Sequence, residues 1–182
     1  AYLGMDVGRQ HDRSVLWVLE AVDGVCYTRE LVELQQVPFQ AQLDRLLALV
    51  RRWSPRRVAL DAGGLGAMLA EEAARHLGTR LLALSFTAPL KESMALGLLR
   101  QLQERRLRLP NDPVVLADLR QVRRAIGASG QVRYLAPHTA LGHADRFWAL
   151  ALAVHAASHE GEIHADGARL RSDADPRAHR TG

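Results

Sequence analysis

Three carboxylates stand where a folding chain seldom leaves them. Asp6 interrupts the apolar stretch 2–7, Asp61 ends the run Arg57-Val58-Ala59-Leu60, and Asp145 opens an apolar stretch that continues to His155. Taking an ionised carboxylate out of water without a partner is costly, so acids in such places point to something that neutralises them. No cluster of Cys or His accompanies them, and an all-oxygen ligand set suits a hard cation, Mg²⁺ or Mn²⁺, better than Zn²⁺. Two such ions held roughly 3.5–4 Å apart can activate a water and stabilise the leaving oxygen of a phosphodiester. Taken singly, each acid is better explained as a strand-end cap or a turn residue. The chemistry depends on whether the fold brings the three together.

The elements that must do this can be read from apolar patterning. Residues 2–7, 13–21 and 25–34 read as three strands, and Asp23-Gly24 between the last two is a strong hairpin signal. The second strand is then antiparallel to its neighbours. Residues 39–53 follow Pro38 and set Leu43, Leu46, Leu47 and Val50 at helical spacing. A fourth strand over 57–61, a helix over 65–77 stopped by Gly78, and a fifth strand over 80–85 complete the pattern. This is α/β: a mixed five-stranded sheet with one antiparallel strand and helices on both faces. If the fourth strand lies parallel beside the first, Asp61 comes within reach of Asp6, and the final helix can present Asp145 from one face.

The second half adds a helix over 89–106 with Met94, Leu98, Leu99 and Leu102 inward, and a short helix over 112–118. Residues 119–127 and 131–136 flank Ala128-Ser129-Gly130 as an auxiliary β-hairpin; one helix over 112–126 is the alternative. The last helix, 145–158, carries Phe147, Leu150, Ala151 and Val154 on one face. Residues 1–160 read as one domain. In 161–182 apolar residues become sparse, as in a flexible tail.

Composition narrows the function classes. No apolar run approaches the ~20 residues of a membrane span, and Asp6 and Arg9 break the N-terminal apolar stretch too early for a secretory leader. Cys26 is the only cysteine, which rules out an internal disulfide and suits a reducing interior; its strand position faces the core. Net charge is +4 with 24 Lys and Arg, of which only Lys91 is a lysine. Arginine bias can reflect genome composition alone, but here it clusters. Arg100, Arg105, Arg106 and Arg108 gather at one helix end, and Arg120, Arg123, Arg124 and Arg133 on the hairpin. Arg9 lies in the loop after Asp6, and Lys91 heads the long helix, placed to meet a phosphate or one of the acids. Such clusters suit phosphate contact. Aromatic content of 5% argues against base stacking on single strands, so backbone contact with double-stranded DNA is expected. His11, His138 and His143 lie near these stretches and read as surface residues.

Gly4-Met5-Asp6-Val7-Gly8, Leu60-Asp61-Ala62-Gly63-Gly64-Leu65-Gly66, and Gly142-His143-Ala144-Asp145 with the Ala149-Leu150-Ala151-Leu152-Ala153 that follows resemble the nuclease domain of phage large terminase subunits. Leu90-Lys91-Glu92 and Arg105-Arg106-Leu107-Arg108-Leu109-Pro110 between them resemble it too. The resemblance runs over 2–158 in order. It implies an RNase H-like fold, a metal-dependent endonuclease cutting concatemeric viral DNA during genome packaging, and Asp6, Asp61 and Asp145 as catalytic metal ligands for a pair of Mg²⁺ or Mn²⁺ ions. Asp12 stands where some relatives carry a further acid; Ala144 stands where many carry another. It also implies an ATPase motor domain N-terminal to this part, a small terminase subunit and a portal as partners, no membrane, and residence in the host cell cytoplasm. No phosphate-binding Gly-rich loop ending in Lys-Ser/Thr occurs, so the chain reads as the nuclease part alone, and Gly63-Gly64-Leu65-Gly66 as a tight strand-to-helix turn. Other readings are a different RNase H-like nuclease (a Holliday-junction resolvase or transposase core), a sugar-kinase or actin-like half, for which 182 residues leave no second lobe, and a DNA-gripping module without catalysis.

Overall fold

A computed structural model describes residues 1–8, 13–126, 132–135 and 144–159. Arg9, Asp12, the three histidines His11, His138 and His143, and the expected tail at 161–182 lie outside the described residues.

The chain opens with β1 (Tyr2–Asp6), β2 (Arg13–Val22) and β3 (Val25–Gln35). Asp23 and Gly24 both take positive φ, 50° and 76°, the geometry of a two-residue turn that matches strand twist. Helix α1 (Phe39–Trp53), β4 (Arg57–Asp61), α2 (Gly66–Leu77) and β5 (Leu81–Leu84) follow. Then come α3 (Ala88–Gln103), β6 (Leu107–Arg108), α4 (Pro113–Gln121), β7 (Arg123–Ile126), β8 (Val132–Leu135) and α5 (Asp145–Ser158).

The sheet order is β5-β4-β1-β2-β3-β6, with β7-β8 as a separate antiparallel pair. β2 runs antiparallel to β1 and β3, and the other pairings are parallel. The five expected strands are therefore present, and a sixth, the short β6, pairs with the start of β3 through Cys26↔Leu107 and Tyr27↔Arg108. Two residues are too few for periodicity to reveal a strand. The alternative single helix over 112–126 is excluded, because α4 ends at Gln121 and β7 begins at Arg123.

Strand alternation divides the core. Leu3, Met5, Leu16, Val18, Val58 and Leu60 pack with buried residues of α1 and α2 on one face. Tyr2, Val15, Trp17, Leu19 and Ala59 pack with α3 and α5 on the other. Cys26 belongs to this second cluster, as its strand position suggested. Two helix faces depart from expectation. Leu99 and Leu102 of α3 are exposed, since only the narrow stripe of Met94, Ala95 and Leu98 is buried. Helix α5 is buried on nearly every side rather than one, because its alanines let sheet and helices approach all round.

Candidate metal centre

Asp6 and Asp61 end neighbouring parallel strands one step beyond the Met5↔Leu60 pairing. By the two-residue alternation, Asp6 shares a face with Tyr2 and Gly4, and Asp61 with Ala59. That face is the one covered by α5. Both acids thus sit at the carboxyl ends of strands, under the helix that begins with Asp145.

Gly4 sets how closely that helix lies. A Cβ at Gly4 would collide with the backbone of α5, at the carbonyl oxygen of Ala149 and the nitrogen of Ala153. Glycine in a buried strand marks such an approach. From Gly4 to Asp6 is two strand residues, about 6.6 Å, and from Ala149 back to Asp145 is four helical residues, about 6 Å. The two steps match, so the contact at Gly4 delivers Asp145 to the level of Asp6.

Electrostatics records the convergence. Burial pushes the Asp6 carboxyl well above its ordinary range, and the charges of Asp145 and then Asp61 push it further; Lys91 opposes them and Asp118 adds a little. Asp6 keeps some surface, but its carboxyl is enclosed by protein. Asp61 is also raised by burial, against the Gly63 N–H, which donates to Asp61 Oδ1 at 2.9 Å, and against Lys91. Among the described residues no three His, Cys, Asp or Glu side chains already close on one point. The backbone brings the trio into one region, where the charges of Asp145 and Asp61 act against ionised Asp6.

Lys91 faces this region from the first turn of α3, with its Nζ 4.8 Å from the ring centre of Trp148 and 5.1 Å from that of Phe86. The two rings are themselves 5.4 Å apart. Thr87 caps α3 by accepting from the Leu90 N–H at 3.3 Å. The lysine is therefore an aromatic-seated cation whose charge reaches Asp6 and Asp61.

Sequence reasoning missed an ionic network beside Asp145. Arg146, 4% exposed, grips Glu33 with both Nε and Nη2, at 2.7 and 2.8 Å. Arg13 reaches the same carboxylate at 2.9 Å. Asp118 of α4, fully buried, accepts the Arg146 backbone N–H at 3.1 Å and lies 3.6 Å from its Nη1. Burial raises the Asp118 carboxyl, against the pull of Arg146 and then Arg13. The visible signal was a charge on a buried stripe: Asp118 follows the buried Val115 at helical spacing.

The arginines divide. Arg120, Arg123 and Arg124 are exposed on α4 and β7, on the unit that carries Asp118 to the start of α5. Arg105, Arg106 and Arg108 lie elsewhere. β6 pairs with β3 at Cys26, which faces Ala21, whereas Asp6 faces Val15. Six residues along the strands amount to roughly 20 Å. This cluster therefore does not flank the acids, because α3 carries the chain from the acid end of the sheet to the opposite end. There Arg106 pairs with Glu104 at 3.4 Å, and Arg108 donates to the Arg105 carbonyl at 2.6 Å.

The terminase RNase H-like domain family matches residues 3–157. The chain belongs to this family. The terminase large subunit of Thermus virus P23-45 is 30% identical over 154 residues, covering 83% of this chain and 30% of that protein. The chain therefore spans less than a third of that relative's length. The large terminase nuclease of thermophilic phage G20c with bound magnesium is 29% identical, with TM-score 0.73 over 85% of this chain and 79% of that one. The same nuclease with bound cobalt gives the same identity, coverage and TM-score. The mixed sheet and the helices on both its faces are thus those of a terminase RNase H-like domain.

Proposed function

We propose that this terminase RNase H-like domain is a divalent-metal-dependent DNA endonuclease that cuts concatemeric (end-to-end joined) viral DNA during genome packaging, with Asp6, Asp61 and Asp145 as metal ligands. The observation that carries the reading is that β1 and β4 end side by side in Asp6 and Asp61 on the sheet face covered by α5, the helix that Asp145 opens; burial first, and then the charges of Asp145 and Asp61, raise the Asp6 carboxyl. The donors suit the group: all are oxygen, and a cation offsets the repulsion that Asp145 and Asp61 impose on Asp6. Bound Mg²⁺ or Mn²⁺, as one or two ions, would polarise the scissile phosphate and activate water. The magnesium and cobalt held by the G20c nuclease support a divalent ion.

The chain's own residues do the rest. Asp6, Asp61 and Asp145 would hold the ions. Gly63, through its N–H, fixes the orientation of the Asp61 carboxylate. Lys91 tempers the negative charge of the apo site, and Arg120, Arg123 and Arg124 offer phosphate contacts beside it. An ATPase motor, a small terminase subunit, a portal and the host cytoplasm belong to the same reading. The test is plasmid digestion with Mg²⁺, Mn²⁺ or EDTA. Wild type should linearise or nick DNA only with metal, and Asp61→Ala should lose the activity. Cleavage by Asp61→Ala at the wild-type rate would remove Asp61 from the site.

A further inference from the structure

Helix α5 has no cap of its own. Its N-cap residue, Ala144, sits in the left-handed region at φ 61° and supplies no side-chain hydrogen bond. The first turn of a helix leaves several N–H groups without intrahelical partners, and buried ones need an acceptor from elsewhere. Asp118 of α4 supplies it: its Oδ2 accepts the Arg146 N–H at 3.1 Å, across 28 residues of sequence. A carboxylate there also meets the positive end of the helix dipole.

We infer that Asp118 is the positioning residue for Asp145, capping α5 from outside so that the adjacent carboxylate is held at the level of Asp6. This rests on the metal-dependent reading above. Asp118 need not touch the ion; it fixes the backbone one residue from Asp145. Glu33 grips the same Arg146, but only by its side chain. The two acids therefore make separable claims. Losing the cap loosens the first turn and Asp145 with it, while losing Glu33 frees a guanidinium and leaves the cap.

The test measures Mn²⁺ binding to the metal-free domain by calorimetric titration, and exchange of the Arg146 amide by NMR, in wild type, Asp118→Ala, Asp118→Asn and Glu33→Gln. Asp118→Ala should bind Mn²⁺ at least tenfold more weakly and exchange its Arg146 amide faster. Asp118→Asn, which retains an acceptor oxygen, should recover affinity to within about threefold of wild type, as a preserved cap requires. Glu33→Gln should also stay within threefold. Wild-type affinity in a folded Asp118→Ala overturns the inference, as does a tenfold loss in Glu33→Gln or in Asp118→Asn; these last two decide it if the alanine variant does not fold. A wild-type domain that binds no Mn²⁺ contradicts the metal-dependent reading itself, whereas equal binding by wild type and Asp118→Ala contradicts only the role of Asp118.

Discussion

Gly4 and Ala149 touch backbone to backbone: there is no room for a Cβ at Gly4 beside the Ala149 carbonyl. This contact sets the height of α5 on the sheet. Because Asp6 lies two residues beyond Gly4 and Asp145 four residues before Ala149, it also sets the distance between two of the acids.

Gly4→Ala should therefore act at the acids as well as on stability. Overpacking of a rigid contact costs about 1–3 kcal/mol. The expected result is a lower melting temperature together with weaker Mn²⁺ binding by the molecules that remain folded. Thermal melts and calorimetry on the purified variant check both, and unchanged Mn²⁺ affinity would show that α5 can shift without moving Asp145.

The sequence carried the strand-helix order and the three acids, because apolar periodicity and an acid within an apolar run are local signals. Asp118 showed only as a charge on an apolar helical stripe, and the role of Arg146 did not show at all. Their meaning lies in a contact across 28 residues, and neither residue type announces it. The arginines mark another limit. Arg105, Arg106 and Arg108 resemble Arg120, Arg123 and Arg124 as clusters, yet register alone decides which end of the sheet each occupies. Gly4 was legible within its motif but not as a spacer, since only the packed helix shows what it admits.

The pH dependence of the metal-free domain has a definite sign. The carboxyls of Asp6, Asp61 and Asp118 are raised in the folded state, so the fold binds more protons than the unfolded chain across that interval. Stability should then fall as pH rises from the ordinary carboxylate range through the raised values. Millimolar Mn²⁺ should restore it at the upper end, by RT ln(1 + [L]/Kd). Asp6→Asn should flatten the profile in EDTA. Melting temperatures across pH, with EDTA and with Mn²⁺, test this, and a metal-free domain that gains stability over the same interval would contradict it.

Lys91 lowers both Asp6 and Asp61 while seated against Phe86 and Trp148. Lys91→Met, which keeps the apolar stem, should move the Asp6 titration upward when followed by carboxyl NMR in EDTA. A titration that stays in place would mean that the ammonium is too well screened to act.

DNA binding in EDTA should depend on one arginine cluster. Each neutralised phosphate adds roughly 0.9 to the slope of log affinity against log salt, so Arg123→Ala/Arg124→Ala should lower the slope by about 2. Arg105→Ala/Arg106→Ala, at the far end of the sheet, should leave it unchanged. The loss should be equal for unrelated sequences, as for backbone contacts. The reverse pattern would move the duplex to the β6 edge.

The most direct measurement is the anomalous scattering of Mn²⁺ soaked into crystals of the domain. The account predicts manganese density between Asp6, Asp61 and Asp145, with the signal lost in Asp6→Ala. Manganese bound elsewhere, or none at millimolar concentration in wild-type crystals, would contradict it.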